Sequence, residues 1–214
     1  MVDEENAVSF KKGDNSWKQI PELSLSGIEE CFNMVYKDHK LYCLNFYKLK
    51  IFDFSGEIPV QVFKISVRGY IQMLEGFMRL PGIPLKDQMA HHKDDLVVTV
   101  GGDVLIVKSV RPSMSKIWNF QIYKMGSSKG KKWEEIVSLG DEAILLDLGI
   151  TVLAKDVEGM KKNSIYFNAT DYYDEHDRNI VFIYSLNTKT FEQPHQFVCS
   201  SIPCSNALWF LPSF

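Results

Sequence analysis

The densest group of ligand-type side chains in the sequence is Asp171, Asp174, Glu175, His176 and Asp177, in "DYYDEHDR". Oxygen and imidazole donors packed so closely are what a divalent cation or an acid–base pair would use. The spacing argues against both. A calcium loop of the EF type needs oxygens at alternating positions, a central Gly and a closing Glu, and "DYYDEHDRNIVF" has neither the Gly nor the Glu. Acid–base catalysis needs two carboxylates in a rigid frame with one pKa displaced, and a hydrated hairpin tip supplies no desolvation to displace it. If a metal were held here, Asp171, Asp174, His176 and Asp177 would be its ligands. No catalytic residue and no cofactor is assigned.

Other motifs fail the test of context. "GSSKG", Gly126 to Gly130, has the spacing of a nucleophile elbow, but that motif needs a helix after it, and the following "KKWEEIVSL" reads as a strand. The same stretch lacks the spacing and the Ser or Thr of a phosphate loop. His39, His91, His92, His176 and His195 form no H-x-x-x-H pair. Of the four cysteines, Cys199 and Cys204 in "CSSIPC" would be half a zinc site at best, and the spacing of Cys31 and Cys43 does not complete it. All four are expected to stay reduced. Asn168 opens an N-x-T glycosylation pattern that only a secreted chain would use.

The composition is that of a folded globular chain, with 45% hydrophobic, 13% aromatic and 24% charged residues. A formal charge of -3 and scattered Lys and Arg leave no basic stripe for a phosphate backbone, so nucleic acid is not an expected partner. No run of 18 apolar residues suggests a membrane span. The first twenty residues carry acids and no apolar core of a secretory signal, and "MVDEEN" argues against an Arg-rich transit peptide. The expected location is the cytoplasm or nucleus, with an organelle left open.

The elements that must position any site are strands. "CFNMVYKDHKLYCLNFYKLKIFDFSGEIPVQVFKI" reads as up to four of them, broken at "KDHK", near "FYK" and at "SGEIP". "DLVVTVGGDVLIVKSV" suggests a hairpin with a two-residue turn at Gly101 and Gly102. "IWNFQIYKM", "WEEIVSL" and "GITVL" follow, and "NSIYFN" and "NIVFIYSL" flank the acidic cluster, with "LNT" closing a further hairpin before Lys189. "KLYCL", "VLIVK" and "SIYFN" recur about sixty residues apart, each followed by a second strand: "LKIFDFSG", "FQIYKMGS" and "IVFIYSLN". A four-stranded unit repeated at such a period marks propeller blades. One segment departs from the pattern: Val67, Tyr70, Ile71, Leu74, Phe77 and Met78 recur at three and four, which predicts a short helix near residues 67–80.

The expected fold is therefore all-β, a partial β-propeller of about three to four four-stranded antiparallel blades. It would occupy residues 16–214, with a strand around "SWKQI", after a flexible 1–15. Three recognisable units do not close a ring, so further blades would come from another chain or a longer product, unless the chain is a shortened paralogue.

In order along the chain, "DDLVVTVGGDVLIVKSV", "FQIYKM", "KKWEEIVSLGDEAILLDLG", "GMKKNSIYFN", "IVFIYSLNTKTFEQP" and "ALWFLPS" resemble the plant F-box-associated β-propeller family (the KIB-type domain). The best-matching residues are Trp133, Ser138 to Asp141, Ile144 to Leu146, and Asn163 to Phe167. The resemblance implies a propeller that follows an F-box, the helical module that docks the Skp1 adaptor of a cullin ubiquitin ligase. Such a propeller holds the protein to be ubiquitinated and has no chemistry of its own. Only about fifteen residues precede the first family-like stretch, and the Leu-Pro of "RLPGIPL", Arg79 to Leu85, lies inside the propeller region. Skp1 docking is thus not expected of these residues. The expected function is a non-catalytic protein-interaction module whose partner is a protein of the ubiquitination-substrate class. The alternatives are a metal-dependent protein or enzyme using residues 171–177, and a truncated paralogue with little function of its own.

Overall fold

The computed structural model describes residues 8–9, 15–19, 33–45, 48–67, 91–111, 118–126, 133–168 and 181–192. The chain divides into two units, Met1–Gly76 and Phe77–Phe214. Among the described residues there is no α-helix.

In the first unit β1 (Val8–Ser9) pairs antiparallel with β2 (Lys18–Gln19), the strand expected around "SWKQI". Strands β3 (Asn33–Lys37), β4 (Lys40–Leu44), β5 (Lys48–Asp53) and β6 (Val60–Ser66) then form an antiparallel meander in chain order, the four strands that the sequence predicts. The "KDHK" break is a two-residue turn with Asp38 at φ 50° and His39 at φ 60°. Two left-handed residues are what a hairpin turn matched to strand twist requires. At the second break the Asn45 carboxamide oxygen accepts the Lys48 N–H at 2.7 Å, while the Asn45 N–H donates to the Lys48 carbonyl at 2.9 Å.

Burial explains why "LYCL" and "LKIF" do not alternate. Tyr42, Cys43, Leu44, Leu49, Ile51 and Phe52 are all buried, so the two central strands are covered on both faces. On the edge strand β3, by contrast, Val35 is buried between exposed Met34 and Tyr36, the period-two pattern of a half-covered strand. Opposite β5 the register slips between Ile51 and Phe52, so that Val62 on β6 is the extra residue of a bulge.

The second unit holds a nine-stranded sheet built of two groups. The first group is β7 (His91–Val98), β8 (Val104–Arg111), β9 (Asn119–Met125) and β10 (Trp133–Ile136), again an antiparallel meander. Its β7–β8 turn differs from the two-residue one expected. The Thr99 N–H donates to the Asp103 carbonyl at 2.9 Å and the Gly102 N–H to the Thr99 carbonyl at 3.0 Å, enclosing three residues, Val100 to Gly102. Of the two glycines only Gly102 is left-handed, at φ 83°, so the chain forms a turn followed by one glycine bulge residue.

The second group is β11 (Glu142–Leu145), β12 (Ile150–Leu153), β13 (Ser164–Asn168), β14 (Val181–Ser185) and β15 (Thr190–Glu192). A 3-10 turn at Leu146–Leu148, ended by Gly149 at φ 65°, folds β12 back antiparallel on β11. A second 3-10 turn, Ala154–Asp156, and the loop after it return the chain so that β13 lies parallel to β11. The expectation of four antiparallel strands per blade thus holds for β3–β6 and β7–β10. In this group the β11–β12 hairpin is interposed before the antiparallel run β13–β15. The two groups meet at one parallel pairing, Ile150 opposite Val98, where the Val98 N–H donates to the Gly149 carbonyl at 2.8 Å.

The core of this unit lies between the groups. Val97, Leu105, Val107, Trp118, Phe120 and Ile122 face Ile144, Leu146, Ile165, Phe167 and Tyr184. Phe120 anchors it, with its ring 5.2 Å from that of Phe167 and 4.9 Å from that of Tyr184. Fully burying side chains of this size contributes about 1.5–3 kcal/mol each. On the opposite face Ala143, Leu145, Tyr166 and Ile183 form a smaller cluster, so β11 and β13 also bury both faces.

The first two strands of each sequence repeat pair antiparallel. Leu41 lies opposite Phe52, Ile106 opposite Tyr123, and Ile165 opposite Tyr184, an aliphatic residue against an aromatic each time. The helix expected near residues 67–80 falls outside the described residues except for Val67, which is buried and in no regular element.

Candidate functional site

One end of the second unit gathers four connections: Thr99–Asp103, Val137–Asp141, residues 154–163 and Leu186–Lys189. Asn163 ties three of them together. It is buried and sits at φ 55°, a conformation that Asn tolerates better than most side chains. Its side-chain oxygen accepts the Leu139 N–H at 2.8 Å, and its side-chain nitrogen donates to the Asn187 oxygen at 2.6 Å. Its backbone N–H donates to the Glu142 carbonyl at 2.8 Å, and its carbonyl accepts the Leu186 N–H at 3.1 Å.

The Ser-Leu-Gly-Asp stretch is the turn that Asn163 holds. Ser138 Oγ accepts the Gly140 N–H at 3.1 Å, Gly140 takes φ 64°, and the Asp141 carbonyl accepts the Ala154 N–H at 3.0 Å. The Asp141 carboxylate meets Lys162 at 2.9 Å, and that ammonium holds the carboxyl below its ordinary pKa. The β7–β8 turn joins through Thr151, whose hydroxyl accepts the Val100 N–H at 2.7 Å and donates to Glu142. Ion pairs Lys124–Asp103, at 2.7 Å, and Lys161–Glu192 flank the rim. The Lys161 N–H donates to the Tyr166 hydroxyl oxygen at 2.7 Å. Burial pushes the Tyr166 phenol pKa up.

Beside the rim a groove of about 240 Å³ runs between β9–β10 and the β14–β15 turn. Phe120, Ile122, Ile136, Tyr184 and Leu186 give it apolar walls, and Glu135 and Lys189 stand at its polar side. Val137, at its margin, is 75% exposed, the highest value among the large apolar residues described. Pockets for drug-sized molecules or cofactors span roughly 300–1,000 Å³. This groove is smaller than that range.

The metal-ligand candidates Asp171, Asp174, His176 and Asp177, with Glu175, lie outside the described residues, as do Ser127 and Ser128 of "GSSKG", the "RLPGIPL" stretch, His195, and Cys31, Cys199 and Cys204. His39 is exposed on the β3–β4 turn, His91 and His92 begin β7, and Cys43 is buried in the first unit and in no disulfide. Among the described residues no group of three or more His, Cys, Asp or Glu could hold a metal ion. No described helix is long and apolar enough to cross a membrane.

Sequence reasoning picked out Asn163 and Ser138 to Asp141 only as residues that carry the family resemblance; the structure shows that they form one hydrogen-bonded unit. Glu142 and Thr151 were missed, and so was the groove. Its lining residues lie far apart in the chain and carry no local motif.

The KIB1-4 beta-propeller family model matches residues 1–185. A putative F-box protein of Arabidopsis thaliana is 64% identical over 219 residues, covering 100% of this chain and 55% of that protein. An F-box protein of the same plant is 55% identical over 217 residues, covering 100% and 54%. A probable F-box protein, also from Arabidopsis thaliana, is 43% identical, covering 97% and 51%. The chain therefore spans about half the length of these relatives. No solved structure matches it. With the match extending over most of its length and its strands forming repeated meanders, this chain belongs to the KIB1-4 β-propeller family.

Proposed function

We propose that this chain is a non-catalytic protein-interaction module that resembles the substrate-holding propeller of F-box subunits in SCF-type ubiquitin ligases. Its partner surface is the rim around Asn163 together with the adjoining groove. The observation that carries this reading is the alignment of the entire chain with proteins named as F-box proteins. The rim supports it physically. Its loops are fixed by side-chain-to-backbone hydrogen bonds before any partner arrives, which reduces the ordering cost of association. An exposed apolar residue beside an apolar-walled groove, edged by one acid and one base, is the composition of a protein contact.

The partner class is a protein destined for ubiquitination, and the setting is that of such ligases, the cytoplasm or nucleus. Skp1 docking belongs to the helical F-box, and residues 1–214 by themselves are proposed not to perform it. The test is affinity capture from plant extract on the immobilised 214-residue chain. A stoichiometric protein partner without Skp1 is expected. Stoichiometric Skp1 would overturn the assignment of docking to a separate module, and loss of every specific partner would overturn the interaction role.

A further inference from the structure

We draw no further inference here: the strongest candidate, the apolar-walled groove between β9–β10 and the β14–β15 turn of the second unit, belongs to the site already described, and nothing in the structure shows what covers it.

Discussion

The side-chain oxygen of Asn163 accepts the backbone N–H of Leu139 at 2.8 Å, joining residues twenty-four apart in sequence and fixing the Ser-Leu-Gly-Asp turn from outside it. Replacing Asn163 removes that acceptor from a half-buried amide. Asn163→Ala is expected to destabilise the protein by about 2–4 kcal/mol, the sum of an unsatisfied amide and an alanine forced to positive φ. Asn163→Gly keeps the first loss and relieves the second, so it should be about 1 kcal/mol milder. Urea unfolding of both variants measures the difference. Equal losses would mean that φ at this position carries no strain.

The β7–β8 turn makes a sharper distinction between two adjacent glycines. Gly102 is at φ 83° and a Cβ there meets nothing within 4 Å, so any penalty is purely conformational. Gly102→Ala should cost about 1–2 kcal/mol. Gly101 has no positive φ, and an added Cβ would make only an ordinary contact, 3.9 Å from Thr99 Oγ1. Gly101→Ala should be neutral or stabilising by up to about 1 kcal/mol. Thermal unfolding decides; a penalty of similar size at both positions would restore the two-residue turn.

Much of the fold was legible because its signals are local. The break at "KDHK", the strands on either side of it and the recurrence of "KLYCL", "VLIVK" and "SIYFN" were each written in contiguous residues. The parallel pairing of β11 with β13 was not, since strand partners chosen across an interposed hairpin leave no local trace. The length of the glycine turn was also hidden, because "GG" permits positive φ at both residues while the chain uses it at one. At the rim, the residues around Asn163 were visible as a family pattern, but their reason is a set of hydrogen bonds spanning up to about fifty residues of sequence.

The joint between the two strand groups should be sensitive to Thr151. Its hydroxyl accepts the Val100 N–H, beside the short parallel pairing of Ile150 with Val98, where the Val98 N–H donates to the Gly149 carbonyl. Thr151→Val keeps the shape and removes the nearer acceptor, leaving the Val100 N–H with the Glu142 carboxylate at 3.3 Å, which should cost about 0.5–1.5 kcal/mol. Hydrogen exchange at Val98 and Val100 should accelerate more than exchange in β13 and β14. Uniform acceleration would place the effect in global stability instead of at the joint.

Lys108 is buried on β8, opposite Asp94 on β7 and Gln121 on β9. Burial lowers its ammonium pKa from 10.5, and Asp94 opposes that shift only in part. A lowered folded pKa means that the unfolded chain binds the proton more tightly. The contribution is favourable above the unfolded pKa and is lost as pH falls through the folded one. Lys108→Met abolishes this dependence. The stability of the variant relative to the native chain should therefore be greatest near neutral pH and shrink as pH rises toward 10.5. Denaturant midpoints across that range provide the test, and a difference constant with pH would contradict it.

In the proposed function the rim and its groove bind a protein partner. The most direct measurement is the affinity of the captured partner for the native chain and for Val137→Asp, with thermal stability followed in parallel. Val137 is 75% exposed, so the substitution should leave the melting temperature unchanged. Binding should weaken at least about tenfold, or about 1.4 kcal/mol. Unchanged affinity with an intact fold would contradict the account and place the partner on another face.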